Sequence, residues 1–507
     1  MKSAFEPGWL NRYPLLQKVV KILQTEQVEA YLVGGAVRDL LLEREEITDL
    51  DFAVPGDGLA VARRVADALP AAFYPLDVQR GTGRVVYNVS SARGSQKYYL
   101  DFATFRGPTL LADLADRDFT INAIALTLTD PPRLIDPLQG WQDLKTGQVK
   151  ATSDTALTQD PVRVLRAIRL AVQFGFVIET QTRQALPQTA PRLASVSAER
   201  QRDELLKLLN TPAPDQAVRS LHYLGVLPHI LPEIEATVGV SQAWPHYLDV
   251  FEHTLTALEA WMEMVETGFP DVSSRLQPQL IEYLQEPLAG NLSRQMLMPL
   301  AVLFHDSGKP LTRSEEDRPG RPPRIRFLGH EQESARLVRR AMVRLRFSTQ
   351  ATTFVQSVVA HHMRPLLLAR RGRLSRRAIY RLFRDTEAGH AQAGVAVALH
   401  ALADHRATYP PGQGRMAGQA LRSVVDQLLS AYFEQYHQIV DPPPLLTGHE
   451  LIAELGLKEG RLIGLLLTRL KEAQASGQIK NKTEAWTFIQ QLLNSELKTK
   501  NGQTDNL

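Results

Sequence analysis

The chain of 507 residues contains no cysteine. This excludes disulfides, zinc–thiolate centres and cysteine nucleophiles, and it suits a reducing compartment. No apolar run approaches the roughly 20 residues needed to span a bilayer. The opening MKSAFEPGWLNRYP also lacks the basic stretch and apolar core of a signal peptide. A soluble cytoplasmic protein is expected. Strong charge of either sign is missing too. Lys+Arg total 58 and Asp+Glu 55, a formal net charge of only +3, so a polyanionic partner has to be argued from local patches. What remains is ordinary globular composition, 44% hydrophobic and 22% charged, in a chain long enough for roughly three or four domains.

Patterning divides the chain. Over residues 1–150 the segments VEAYLVGG, DLDFAV, GRVVYNVS, QKYYLDFATF and PRLIDPL read as short strands between helical patterns. A helical neck is expected over 151–240, a histidine-bearing helical domain over 241–410, and a helical tail over 411–495. The end, 496–507, is expected to be disordered. The stretch EEDRPGRPPR has no periodicity and reads as an exposed loop. The fold class is α+β: a mixed head followed by all-α domains.

The first chemical signal is LVGGAVRDLLLEREEITDLDFAV. Asp49 and Asp51 are two apart, so on a strand their carboxylates point to one face. Two such groups repel, and burying them is costly without a cation. Mg²⁺ binds through one or two carboxylates plus substrate phosphates, and Asp101 in KYYLDFATF offers a third carboxylate. Gly34 and Gly35 would let backbone amides approach a phosphate. The bland reading of DLD alone is a turn cap and an exposed strand residue.

Context shifts the balance. GGAVRD, DLDFAV, RDFTINAIA, LIDPLQGWQDL and QDPVRVLRAIRLAVQFGF follow in order. Together they resemble the class II tRNA nucleotidyltransferase and bacterial poly(A) polymerase family, whose head is polymerase beta-like. The resemblance covers about the first 200 residues. It implies that Asp49, Asp51 and Asp101 are the catalytic carboxylates, Asp49 and Asp51 holding Mg²⁺. Gly34, Gly35 and Arg38 match the triphosphate-holding motif, and Arg117, Asp118 and Asn122 match the segment contacting ribose and phosphates. Asp116 stands where the family has a second arginine.

In TQDPVRVLR, Asp160 and Arg163 are three apart and would share a helix face. A carboxylate accepts from an exocyclic amine and a guanidinium donates to ring acceptors, so the pair can read a base edge. Alternatively, Asp160 caps a helix that Pro161 starts. The resemblance makes Asp160 and Arg163 the base readers, with Gln159 replacing the family's glutamate. Arg166 and Arg169 continue the helix, able to meet phosphates or to form a solvated basic face.

A second cluster follows: His253, His305-Asp306, His330, His361-His362 and Asp404. Imidazole and carboxylate are both ligands for divalent ions. The set resembles an HD phosphohydrolase domain, with His253, His305, Asp306 and Asp404 as its minimal metal set. His330, His361 and His362 resemble the added ligands of members holding more than one ion. The run from Ala369 to Arg384, ARRGRLSRRAIYRLFR, either grips RNA phosphates or is an amphipathic helix burying Ile379, Leu382 and Phe383.

The resemblance implies a template-independent enzyme adding CMP, with AMP left open, to the tRNA 3′ end from CTP and ATP, releasing pyrophosphate. The rivals are a poly(A) polymerase and an HD phosphohydrolase whose head only docks RNA. Only GPTLLADLAD separates Arg106 from Arg117. In the family it resembles, most members adding full CCA carry a longer, polar, flexible loop there. A short, partly apolar segment implies CC addition, with a separate enzyme adding the final A.

Overall fold

The computed structural model describes residues 8–501 apart from 45–46, 92–93, 388–391 and 457. It forms two compact units: Met1–Ser197 with Tyr223–His229, and Ala198–His222 with Ile230–Leu507. The neck expected over 151–240 is therefore divided between them.

The first unit is built on a seven-stranded sheet. Its elements are β1 (Tyr31–Val33), α1 (Gly35–Leu41), β2 (Asp49–Val54), α2 (Gly58–Ala68), β3 (Ala72–Asp77), β4 (Thr82–Ser91), β5 (Gly94–Thr104), α3 (Leu110–Ala115), β6 (Ala125–Thr127) and β7 (Leu134–Ile135). The strand order is β3-β4-β5-β2-β1-β6-β7, and of its neighbouring pairs only β2 and β5 run parallel. The five segments read as strands each contain one. β3 and β6 are additional. β3 carries Pro75 and a mostly exposed pattern, and it lies at the sheet edge, where a missing backbone donor is tolerated.

Alternation in β2 and β5 is what arms the sheet. Phe52 and Phe102 are cross-strand neighbours, almost wholly buried, with rings stacked 4.6 Å apart. The intervening positions Asp51 and Asp101 are paired in register on the other face. After the sheet come α4 (Gly140–Lys145), α5 (Ala156–Gln159) and α6 (Arg163–Phe174). In α6, Val164, Leu165, Ile168 and Ala171 are buried at helical spacing, and Gly175 at φ 67° ends the helix.

The second unit is helical around one central helix, Gly394–Thr408, buried on nearly every side. EEDRPGRPPR is not an irregular loop. It belongs to an exposed antiparallel hairpin, Arg313–Arg318 with Arg321–Phe327. A two-stranded hairpin has no inner strand, so its prolines interrupt no essential ladder. The tail packs Leu451, Leu466, Leu470 and Ile489 into its own core. Its last helix runs Lys482–Asn501, so the end expected to be disordered is helical as far as Asn501, and 502–507 lie outside the described residues.

Ala369–Arg384 is not one helix. The helix Met363–Arg370 ends, Gly372 takes φ 72°, and Ser375 caps a new helix, Arg376–Thr386. Ile379, Leu382 and Phe383 are buried as the amphipathic reading requires. Arg377, Arg381 and Arg384 of that helix all pair with Glu472 on the tail helix Arg461–Ala475. Glu472 is only 4% exposed. This carboxylate ties the tail to the histidine-bearing helices.

Candidate functional site

In the head, the strand register brings Asp51 beside Asp101, and Asp49 lies two residues earlier on the same face. Burial pushes the Asp51 carboxyl up to about 6, Asp101 and Asp49 add to the rise, and Arg117 opposes it. A half-buried carboxylate among carboxylates is a site that a divalent cation would relieve. Asp101 is not left alone: Arg84 on β4 holds it with two hydrogen bonds, Nε to Oδ1 at 2.8 Å and Nη2 to Oδ2 at 2.7 Å. Arg84 gives no motif signal. Its position directly opposite Asp101 follows only from the β4–β5 register.

Gly34 turns the chain at φ 72° from β1 into α1. A Cβ there would lie 3.0 Å from Arg117 Nη1 and 3.2 Å from Asp51 Oδ2. Only glycine lets the backbone run this close to the carboxylate. Arg38 on α1 is buried. It donates to Asn122 Oδ1 at 2.7 Å, pairs with Asp39, and stacks over Phe174 at 4.6 Å. Asp118 accepts from Arg166 at 2.9 Å, Asn122 Nδ2 at 3.1 Å and Phe119 N at 2.8 Å. Burial works against its charge, yet Arg166 and these donors hold it well below the usual carboxylate range. Arg38, Asn122, Asp118 and Arg166 thus form one chain of hydrogen bonds joining α1 to α6.

Two expectations change around the base-reading segment: Pro161 does not start the helix with Asp160 as its cap, since Val162 stands at the N-cap of α6, and the spacing of three is not a helical one. Asp160 and Arg163 do not share a helix. Asp160 precedes Pro161 and is extended (φ −141°, ψ 91°), and α6 starts at Arg163. A residue before proline is driven out of the helical region. Arg163 is buried, and its guanidinium donates to the carbonyls of Asp116 (2.9 Å), Arg117 (3.2 Å) and Ala156 (3.1 Å). Arg169, further along α6, donates to Gln173.

The segment between Arg106 and Arg117 is folded. Thr109 caps α3, and Leu114 is fully buried against Val33, Ala123 and Ala125. Asp113, absent from the sequence reading, is the buried clasp. It accepts from Arg106 N at 3.0 Å and from Arg117 Nε and Nη2 at 3.1 and 2.9 Å.

In the second unit two groups of ligand atoms come together: His253, His305 and Asp404, and Asp306, His330 and His362. Asp306 faces both. Its Oδ2 lies 3.1 Å from His305 Nε2 and 3.6 Å from His253 Nε2, and its Oδ1 lies 3.3 Å from His330 Nε2 and 3.9 Å from His362 Nε2. His253 Nε2 lies 3.0 Å from Asp404 Oδ1. Burial opposes charge on Asp306, but His305 and Lys309 hold it well below the usual carboxylate range. Lys309, in HDSGK, bridges Asp306 Oδ2 at 2.5 Å and Gln242 Oε1 at 2.6 Å. A cavity of about 650 Å³ opens over this cluster, lined by Trp244, Lys309, Arg324, Arg326, His330 and His362 among others.

His361 does not join the cluster. Its Nδ1 meets Ser357 O, and its charged neighbours are Arg364 and Asp385. Successive helix-end residues point in different directions, so only one of the His361-His362 pair can face inward. His246 and His400 belong to the same neighbourhood, with rings 4.7 Å from His253 and 4.9 Å from His305 respectively. Neither carries a motif.

Comparison with known proteins places these features in a family context. Residues 30–150 match the poly A polymerase head domain, 175–237 the probable RNA and SrmB-binding site of polymerase A, and 283–405 the HD domain. An A-adding tRNA nucleotidyltransferase of Deinococcus radiodurans is 34% identical over 91% of this chain and 95% of its own length. A CC-adding tRNA nucleotidyltransferase of Thermus thermophilus is 32% identical over 91% and 93%. The Thermotoga maritima CCA-adding enzyme, solved in complex with tRNA, shares the fold at a TM-score of 0.53 with 22% identity and 97% of each chain covered.

Proposed function

Because the chain belongs to the tRNA nucleotidyltransferase family, we propose that its head transfers CMP from CTP to the 3′ end of tRNA without a nucleic-acid template. The observation that carries this is the in-register pair Asp51 and Asp101, with Asp49 beside them. Asp49, Asp51 and Asp101 would hold divalent ions, and an all-oxygen ligand set suits Mg²⁺. Such ions activate an attacking hydroxyl and stabilise a pyrophosphate leaving group.

The residues of the chain do the rest. Arg84 fixes Asp101, so the carboxylates meet substrate already oriented. Arg38 and Arg117 supply positive charge beside the Gly34 turn, where the triphosphate lies. The segment that runs from Asp160 into α6 reads the base, with Arg163 anchoring it through the carbonyls of Asp116 and Arg117, and the Asp118 network ties it to Arg38. No helix among the described residues is long and apolar enough to cross a membrane, and a cytoplasmic setting fits a tRNA substrate.

The clasp at Asp113 supports a pocket that does not switch bases. A pocket fitted to one base leaves polar groups unpaired against the other. CC addition followed by a separate A-adding enzyme is the reading this favours. The Deinococcus relative gives a second reading, A addition alone. Offering tRNAs ending in the discriminator base, in C and in CC, each with CTP or ATP, separates the two. CMP addition to the first two substrates and none of AMP to the third is expected. Efficient AMP addition to the CC end overturns it, and long A tails would point to a poly(A) polymerase.

The second unit is a divalent-metal HD centre that hydrolyses a phosphoester, with His253, His305, Asp306, His330, His362 and Asp404 as ligands. The lysine and arginine lining of its cavity supports a phosphorylated substrate. Asp51→Ala and His305→Ala assayed side by side test the division of labour. Loss of hydrolysis in Asp51→Ala but not in His305→Ala refutes it.

A further inference from the structure

The four histidines of the HD centre share one arrangement. The Nδ1 of each meets a backbone carbonyl: His253 to Ala407, His305 to Val302, His330 to Phe327 and His362 to Val359, at 2.7–3.3 Å. This fixes the tautomer and turns Nε2 toward the carboxylates, the usual posture of a metal-binding imidazole.

His400 departs from that arrangement. It is fully buried, and neither ring nitrogen has a hydrogen-bond partner among the described residues. It sits one helical turn before Asp404 on Gly394–Thr408, so the two share a face. Its ring lies 4.9 Å from that of His305 and 5.6 Å from that of His362, one member of each ligand group. The ligand pairs within the groups, His253–His305 and His330–His362, are 5.4 and 5.3 Å apart. His400 therefore packs against one member of each group, although its nitrogens do not lie within the 4.8 Å that holds the ligand atoms of each group together, so joining them takes a turn of its ring. A buried imidazole with both nitrogens unpaired is costly and calls for a bound group to satisfy it.

We propose that His400 is a metal ligand of the HD centre, approaching from its buried side. This rests on the reading of the centre as a divalent-metal site. The sequence dyad then misdirects: His361 beside His362 is not a ligand, and His400 in the apolar run AGVAVALHALAD is. The set becomes five imidazoles and two carboxylates, a composition that selects first-row transition ions over Mg²⁺. One chain would hold two kinds of metal centre, sorted by ligand hardness: an all-oxygen site in the head and a nitrogen-rich one here.

The test uses the full chain, stripped with a chelator, reloaded with Co²⁺, desalted, and read by elemental analysis and visible absorption. Wild type and His361→Leu should retain an ion for each of the two ligand groups, with the same spectrum. His400→Leu should lose at least one and show an altered spectrum. The metal-free His400→Leu protein should melt at or above metal-free wild type, because leucine removes the unpaired nitrogens. Its metal loss then cannot be ascribed to misfolding. If the leucine variant fails to fold, His400→Gln is read in its place. Full retention of cobalt with an unchanged spectrum in the variant overturns the assignment of His400. Absence of bound cobalt in wild type overturns instead the metal-site reading beneath it.

Discussion

Replacing Asp118 tests whether one buried charge aligns the nucleotide pocket. Asp118→Ala removes the ion pair to Arg166, one acceptor of Asn122, and the acceptor of the buried Phe119 N–H. Breaking a buried ion pair by removing one partner costs about 3–5 kcal/mol. The Arg166 side chain keeps 30% of its exposure, so water screens part of the loss and the lower end, about 3 kcal/mol, applies. At ~2–4 °C per kcal/mol for a unit of this size, the head should melt about 6–12 °C lower by calorimetry. Asp118→Asn keeps the shape and an acceptor, and should lose roughly half as much. The pH dependence has a definite sign. The folded-state pKa of Asp118 is depressed, so its stabilisation is full above the unfolded value of about 4 and is lost as pH falls below it. The gap between wild type and Asp118→Asn should therefore narrow under acid. Because Asn122 passes the constraint to Arg38, the KM for CTP should rise about five- to thirty-fold, the equivalent of 1–2 kcal/mol of lost positioning, with kcat less affected. A variant that melts with wild type at neutral pH and keeps its KM would refute the reasoning.

Three further outcomes follow from the geometry. Asp51→Ala should abolish nucleotide incorporation while circular dichroism and the melting curve stay near wild type, and normal incorporation would sink the head assignment. Gly34→Ala adds about 1–3 kcal/mol of backbone strain at a positive φ paired with an extended ψ and pushes a methyl toward Arg117 and Asp51; incorporation should fall far more than stability, as read by single-turnover rates. Glu472→Ala leaves Arg377, Arg381 and Arg384 without their shared partner. The tail should then be cut earlier in limited proteolysis, with a stability loss of about 1–3 kcal/mol, and unchanged cleavage would show the tie to be idle.

Much of the head was legible because its chemistry is local in sequence. Asp49 and Asp51 announce themselves by spacing, and the alternation of β5 carries Asp101 to the same face. Arg84 and Asp113 were not legible, since each matters only through a partner that folding supplies. Pro75 and the prolines of the 313–327 hairpin concealed strands, because proline argues against an inner strand and these are edges. The spacing of Asp160 and Arg163 suggests a shared helix face, but Pro161 keeps Asp160 extended. The basic run from Ala369 is ambiguous in sequence because the residue that neutralises three of its arginines, Glu472, lies far along the chain. His361 and His400 show the same limit. A dyad draws the eye, whereas a lone histidine in an apolar helix reads as core until its neighbours are known.

The parallel pairing of β2 with β5 also governs how this chain can change in length. Asp51 and Asp101 meet only because the excursion from Val54 to Gly94 returns in one register. Residues added in the turn between Asp77 and Thr82 lengthen the excursion and leave that register alone. Deleting a single residue within β5 ahead of Asp101 turns its carboxylate to the opposite face, among Phe52 and Phe102. Deleting two restores the face but displaces the carboxylate by about 6.6 Å along the strand, out of reach of Asp51. Insertions and deletions should therefore be tolerated in the turn and excluded from the strand, and a library of random single-codon deletions across residues 72–104 would display that boundary directly.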